Sequence, residues 1–375
     1  MYDRRVTPAR RRAIRGALSD LSDAFLELAP SKIRGPSLAT GAAGIALGHR
    51  ALGHAAEAEA ALDRAVAQLG RTATDPTLFH GFTGVAWVAE QMGRGEGNEE
   101  IDEVLTAYLS RAPAGGRFDL TNGVAGIGVY ALERRDARLA GLVLDALEAA
   151  SERDGQGIAW RSPGAPEWNL GVAHGTPGVI GVCAGLAAHA PARAGRLVEG
   201  AVAWLLAREG PEGFTTAVGK TQAARLAWCY GDAGIAATLQ LAADALGDAR
   251  IAAAARRVAR RGAARAEATS GVTDVGLCHG AAGLAHIFRR LHRRLGDVEL
   301  GAAADRWLDR TLALRRPRGI GGFVAELRDR RGRPYFGPAP GVLFGAAGVA
   351  LALAAALDER EGTWDRAFLI SPLGR

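Results

Sequence analysis

The sequence predicts an all-α protein, an α/α toroid in which seven inner helices are ringed by seven outer ones. Three observations carry that expectation. A short signature, Gly-x-x-Gly followed by an apolar run, occurs seven times in the 375 residues. Each copy opens a segment rich in Ala, Leu and Val that is apolar nearly all round, as a buried helix is. Ahead of each copy lies a more amphipathic stretch, and strand signals are weak throughout.

The copies read "GAAGIAL" from Gly41, "GFTGVAW" from Gly81, "GVAGIGV" from Gly123, "GTPGVIG" from Gly175, "GDAGIAA" from Gly231, "GAAGLAH" from Gly280 and "GAAGVAL" from Gly345. Their second glycines recur at intervals of 40 to 65 residues, which suits a two-helix unit with a loop of variable length. "GVALALAAALDE" (348–359) is a representative inner segment. "AAEAEAALDRAVAQLG" (55–70) and "ARIAAAARRVARRGAARAEA" (249–268) are outer ones, with charges on one face. The first and last copies are as apolar as the middle ones. That favours a closed ring, because an open solenoid needs polar end caps. Residues 1–375 are expected to form a single domain. The glycines are expected to let helix starts crowd where a Cβ would clash. Seven helix N-termini, with free N–H groups and positive dipole ends, should then converge on one rim.

Composition narrows the function classes. There is no 18-residue apolar run, so no membrane span is expected. The start, "MYDRRVTPARRRAIRGALSD", is basic but lacks the apolar core of a signal peptide, which points to the cytoplasm. Three cysteines are too few and too scattered for a disulfide framework. The net charge of +6 is almost all arginine, with Lys32 and Lys220 the only lysines. Its clusters, "FRRLHRR" (288–294), "LRRPRG" (314–319) and "RDRRGR" (328–333), come without a nucleic-acid motif. They read as a solvated face or as a docking surface for an acidic peptide.

The repeat supplies a register for the polar residues. Just before the first glycine stand Thr40, His80, Asn122, His174, Tyr230, His279 and Phe344. One position earlier stand Ala39, Phe79, Thr121, Ala173, Cys229, Cys278 and Leu343. Cys229 and Cys278 thus fill the same slot in successive repeats, and His279 adjoins Cys278. Two thiolates and an imidazole suit Zn²⁺, and three protein ligands with a fourth position open is the pattern of a catalytic zinc site. The plain alternative is two small residues filling crowded helix starts. His174 comes from the fourth repeat and Asp119 lies four residues before Gly123 in the third. Arg225 is four residues before Cys229, one turn back if that stretch is helical. There it makes a rim salt bridge or steadies a developing negative charge. Cys183 reads as core, and His80 is given no role.

"AHGTPG" (173–178), "WCYGDAG" (228–234) and "CHGAAG" (278–283) resemble the lanthionine synthetase C-like family, the lanthipeptide cyclases. The glycine repeats and the ending "PGVLFGAAGVALAL" (340–353) are similar too, so the resemblance runs from about residue 35 to the mid-350s. It implies a seven-fold α/α toroid, in agreement with the repeat count. It also implies an activity: addition of peptide cysteine thiols to dehydroalanine and dehydrobutyrine, giving lanthionine and methyllanthionine rings. By matching motifs, Cys229, Cys278 and His279 hold one catalytic zinc ion. His174 corresponds to the acid/base histidine, Asp119 to a functional aspartate and Arg225 to an arginine near the site. The implied partners are a dehydrated precursor peptide, leader plus core, with a dehydratase and an exporter complex. The chain looks like the stand-alone, class I type, since no kinase, lyase or dehydratase region accompanies it. Two other readings stay open: a non-catalytic relative binding glutathione or a peptide partner, and a thiol-alkylating zinc enzyme such as a prenyltransferase, against which the two cysteine motifs count.

Overall fold

A computed structural model describes residues 6–71, 74–111, 116–358 and 362–374. The first five residues of the basic N-terminal stretch lie outside the described part. The described chain is mostly helical. After α1 (Pro8–Leu26) come α2 (Ala42–Ala51) and α3 (Ala55–Leu69), then α4 (Phe82–Gln91) and α5 (Glu99–Ser110). Next are α6 (Val124–Arg134) with α7 (Ala137–Ala149), and α8 (Thr176–Leu186) with α9 (Pro191–Leu206). They are followed by α10 (Asp232–Leu246), α11 (Ala249–Ala264) and the single turn α12 (Glu267–Ser270). The last three are α13 (Ala281–Leu295), α14 (Val298–Ala313) and α15 (Ala346–Leu357). Every Gly-x-x-Gly copy opens one of seven inner helices: α2, α4, α6, α8, α10, α13 and α15. Their side chains are buried nearly all round, as the unbroken burial of α8 from Thr176 to Ala184 illustrates.

Each inner helix starts in the same way, and not as the sequence suggested. Its N-cap is the first glycine of the repeat, and no side chain caps it. The loop that leads in turns back over the first helical turn instead. In the first repeat Ala42 N–H donates to Gly35 C=O and Ala43 N–H to Pro36 C=O. The pattern recurs from Val124 to Arg117, from Ala281 to Asp274 and from Ala346 to Ala339. The expectation of free N–H groups is therefore corrected for α2, α4, α6, α10, α13 and α15, where the helix's own lead-in loop takes first-turn donors. That closeness is why the glycines are there. A Cβ on Gly44 would run into Leu38 C=O and also press on Val342 of the seventh repeat. Gly231 has the further need of a positive φ, 83°. Several outer helices use ordinary side-chain caps, Thr7 for α1, Asp136 for α7 and Asp297 for α14.

The chain divides into two compact units, residues 1–73 with 263–362, and residues 74–262 with 363–375. In the first, α13 packs on α15 and α15 on α2, so the last inner helix neighbours the first. Outer helices α3 and α14 lie on the inner helices that precede them, and α1 packs on α15 and α14. The outer partner of the seventh inner helix thus comes from the opposite end of the sequence. In the second unit α4, α6, α8 and α10 pack in succession, with α7 on α6 and α9 on α8. Its core joins Phe79, Trp228 and Phe368 at ring-centroid distances of 5.1 to 5.6 Å, and Trp228 Nε1–H donates to Phe368 C=O at 2.7 Å. Leu369 and Leu373, just beyond, fill the space left open by Gly181 and Gly185 of α8.

Two antiparallel hairpins escaped the sequence reading: β1 (Glu152–Asp154) with β2 (Gly157–Ala159), and β3 (Ala325–Arg328) with β4 (Pro334–Gly337). Strands of three and four residues are too short to show an alternating pattern. The arginine clusters are partly spent in ion pairs, Arg289 with Asp305, Arg315 with Asp20 and Arg333 with Asp329.

The lead-in loops make a direct prediction. Gly44→Ala should lower stability by about 1–3 kcal/mol through overpacking. Gly141→Ala, on α7 with nothing within 4 Å of the added carbon, should raise it by about 0.5–1 kcal/mol. Urea midpoints of the two variants check this, and equal midpoints would contradict it.

Candidate metal centre

The slot that holds Cys229 and Cys278 has a backbone role in every part of the chain where it is paired. Thr121 N–H donates to Ala173 C=O at 3.2 Å, and Ala173 N–H to Cys229 C=O at 3.5 Å. Cys278 N–H donates to Leu343 C=O, and Leu343 N–H to Ala39 C=O, both at 2.9 Å. Residues in one register are thus tied to the same register of the next repeat. The main chain of both cysteines is fixed by these links, independently of any metal.

The side chains converge as well. One ligand atom each from Cys229, Cys278 and His279 lies within 4.8 Å of the others. In a tetrahedral zinc site, with Zn–S of about 2.3 Å and Zn–N of about 2.0–2.1 Å, ligand atoms stand roughly 3.5–4 Å apart. The bound of 4.8 Å is compatible with that spacing, and two sulfurs with one imidazole form a donor set that zinc favours. Both cysteines are buried and His279 is half-buried. The His279 ring lies 5.5 Å from that of Phe344. Asp274, buried four residues before Cys278, accepts from Gly276 N–H and from Glu326 N–H of β3. Burial pushes its carboxyl up, against the opposing pull of His279 and the two N–H groups. Cys183 sits apart in α8, where burial raises its thiol to about 12.

His174 and Asp119 meet directly, with His174 Nδ1 3.3 Å from Asp119 Oδ1. The carboxylate also accepts from Thr121 N–H at 3.0 Å, Asn122 N–H at 2.8 Å and Thr121 Oγ1–H at 2.9 Å. Burial would push the Asp119 carboxyl up. The hydrogen bonds from His174, Asn122 and Thr121, together with the histidine's charge, outweigh it and hold it below 3.8. In the second, fourth and sixth repeats a different slot, six residues before the first glycine, carries the acceptor that closes the local turn: Asp75, Asn169 and Asp274. Asp119 stands two residues later than that slot, and its carboxylate reaches the neighbouring repeat. His80, given no role from sequence, senses the charges of His174 and Asp119, although burial is the larger cause of its lowered pKa.

Arg225 is not where a helical turn would put it. Residues 224 and 225 are irregular rather than helical, and Arg225 is exposed. Its guanidinium hydrogen-bonds none of the described site residues; its carbonyl instead lies against Gly231. Thr121 and Asn122 were missed as site residues. Thr121 occupies the cysteine slot of its own repeat, and that was the available signal.

The sequence pattern of a family described as "Lanthionine synthetase C-like protein" matches residues 32–369. The chain belongs to that family. A solved structure of nisin cyclase is similar to this family member, with a TM-score of 0.72 and 16% identity, covering 97% of this chain and 98% of that one. The fold is accordingly an α/α toroid, as the glycine repeat predicted. No curated protein sequence matches this family member. None of its described helices is long and apolar enough to cross a membrane.

The state of Asp119 sets a pH dependence. A carboxyl held below its unfolded value of 3.8 adds stability that is complete above that pH and is lost as the pH falls through the lowered folded value. Asp119→Asn should therefore melt earlier than the parent at neutral pH, and the difference should shrink on acidification to about pH 2–3. Thermal melts across that range check it; a constant difference would show that the charge contributes nothing.

Proposed function

We propose that this protein is a zinc-dependent lanthipeptide cyclase that closes thioether rings in a dehydrated precursor peptide. The convergence of Cys229, Cys278 and His279, in a chain of this family, carries the proposal. These three residues would hold the ion and leave one position for substrate. A zinc ion there would bind a peptide cysteine as its thiolate, the nucleophilic form. Sulfur then bonds to the β-carbon of dehydroalanine or dehydrobutyrine, and the alkene pair moves out as an enolate. His174 delivers a proton to the α-carbon, completing the thioether. Asp119, already accepting from that ring, steadies the charged imidazole. Arg225, exposed and on irregular chain, would meet substrate rather than brace the ligands.

The His174–Asp119 pair favours catalysis over metal-dependent binding alone, because a storage or adaptor site has no use for a proton donor. The expected partners are a precursor peptide and the dehydratase that prepares it, acting in the cytoplasm. Incubation with a dehydrated precursor should consume its free thiols at constant mass, read by thiol labelling. Undiminished labelling with every plausible precursor would leave the non-catalytic reading, a protein that binds glutathione or a peptide.

Two variants separate the roles. Cys229→Ala should lose most of its zinc by metal analysis, and full retention would remove Cys229 from the ligand set. His174→Ala should retain zinc while ring closure slows about 10²–10⁴-fold. An unchanged rate would take His174 out of the mechanism.

A further inference from the structure

We infer that Thr121 is a positioning residue that fixes which nitrogen of His174 exchanges protons. The argument is a count of hydrogens. Thr121 Oγ1 stands 2.9 Å from Asp119 Oδ1, 3.2 Å from Ala173 C=O, 2.9 Å from His174 Nδ1 and 3.1 Å from Asn122 Nδ2. A hydroxyl has one hydrogen and two lone pairs. The first two neighbours only accept, so the hydrogen goes to one of them, and the shorter, charge-assisted contact to Asp119 takes it. Toward His174 and Asn122 the oxygen can then only accept. His174 Nδ1 must carry a hydrogen to meet it, and Asn122 Nδ2–H fills the second lone pair. The more distant contact between Asn122 Nδ2 and His174 Nδ1, 3.3 Å, gives way to these two shorter ones.

With Nδ1 committed as a donor, Nε2 is the nitrogen left to work. The side chain of His174 is 41% exposed while that of Asp119 is 7% exposed, so the engaged edge is the inner one. In the neutral ring Nε2 offers its lone pair to an incoming proton. In the charged ring the Nε2 hydrogen is the one delivered, and the neutral Nδ1–H form is left behind. Asp119 Oδ1, at 3.3 Å, supports the same tautomer, but the hydroxyl is the closer partner. The hydroxyl therefore sits between carboxylate and ring and joins them through a satisfied network. Asp119 and His80 interact with His174 by charge, and the Asp119 carboxylate stands farther from Nδ1 than Thr121 Oγ1 does. The substrate served by Nε2 rests on the cyclase reading, whereas the tautomer does not.

The test reads the ring itself. Zinc-loaded protein carrying ¹⁵N-histidine is observed by NMR at a pH well above the ordinary imidazole range, with His174 assigned by its loss in His174→Gln. The parent should show His174 as the Nδ1–H form. Thr121→Val should bring in a second, Nε2–H form, and Thr121→Ser should restore the parent spectrum. Thr121→Ala serves as the hydroxyl-free variant if the valine form does not fold. A folded hydroxyl-free variant with an unchanged His174 signal overturns the inference, as does a parent in the Nε2–H form. In ring closure, Thr121→Val should lower kcat about tenfold with KM unchanged, and the loss should vanish in the His174→Gln background. A loss that persists in that background assigns Thr121 a structural role instead. If the parent closes no rings, the cyclase reading fails while the NMR result still decides the tautomer.

Discussion

Everything at the candidate site depends on how an inner helix begins. In α2, α4, α6, α10, α13 and α15 the lead-in loop folds back until its own carbonyls accept first-turn N–H groups of the helix it leads into. This meets a demand that elsewhere falls to a side-chain cap or to water. The consequence is severe crowding, which is why both ends of the Gly-x-x-Gly signature exclude a Cβ. It also leaves the residues just before the first glycine with no capping duty. Their side chains are free to vary from repeat to repeat, and chemistry accumulates in those slots.

The second device is the link from one repeat to the next through the slot two residues before the first glycine. Cys278 is held through Leu343, and Cys229 through Ala173. A metal site assembled on such a frame loses little conformational entropy when it closes, since its ligands come from anchored main chain rather than from mobile loops. Thr121 shares the slot and its anchoring. The same backbone position thus carries a cysteine of the candidate metal group in two repeats and the hydroxyl that meets Asp119 and His174 in a third. Ala173, with no functional side chain, serves only as a bridge.

Much of this was legible in the sequence because the repeat gives a register. Seven glycine signatures specify seven inner helices, and the shared slot of Cys229 and Cys278 brings together residues 49 positions apart. What the register does not encode is local backbone path. Arg225 was placed by assuming a helix, and the chain there is irregular. The two hairpins are too short for a periodic signal. The pairing of α1 with the seventh repeat cannot be read locally, because nothing in "PARRRAIRGALSDLSDAFL" names a partner at the other end of the chain. Thr121 was visible in its slot, but a threonine beside an Asp and an Asn looks like turn chemistry until the position of His174 is known.

The three cysteines complete the physical case for a cation. All three are buried, and in Cys183 burial alone drives the thiol up to about 12, so it stays protonated and inert. Cys229 and Cys278 are buried beside each other and beside an imidazole. As two neutral thiols they would be ordinary core atoms, and apolar residues would fill the space as well. As two thiolates they would repel, and burial would strip both charges of their hydration. A divalent cation between them removes both penalties at once, and it gives the polar neighbours a reason to be there. His279 would then complete the donor set, on a loop that Asp274 braces through Gly276 N–H and Glu326 N–H.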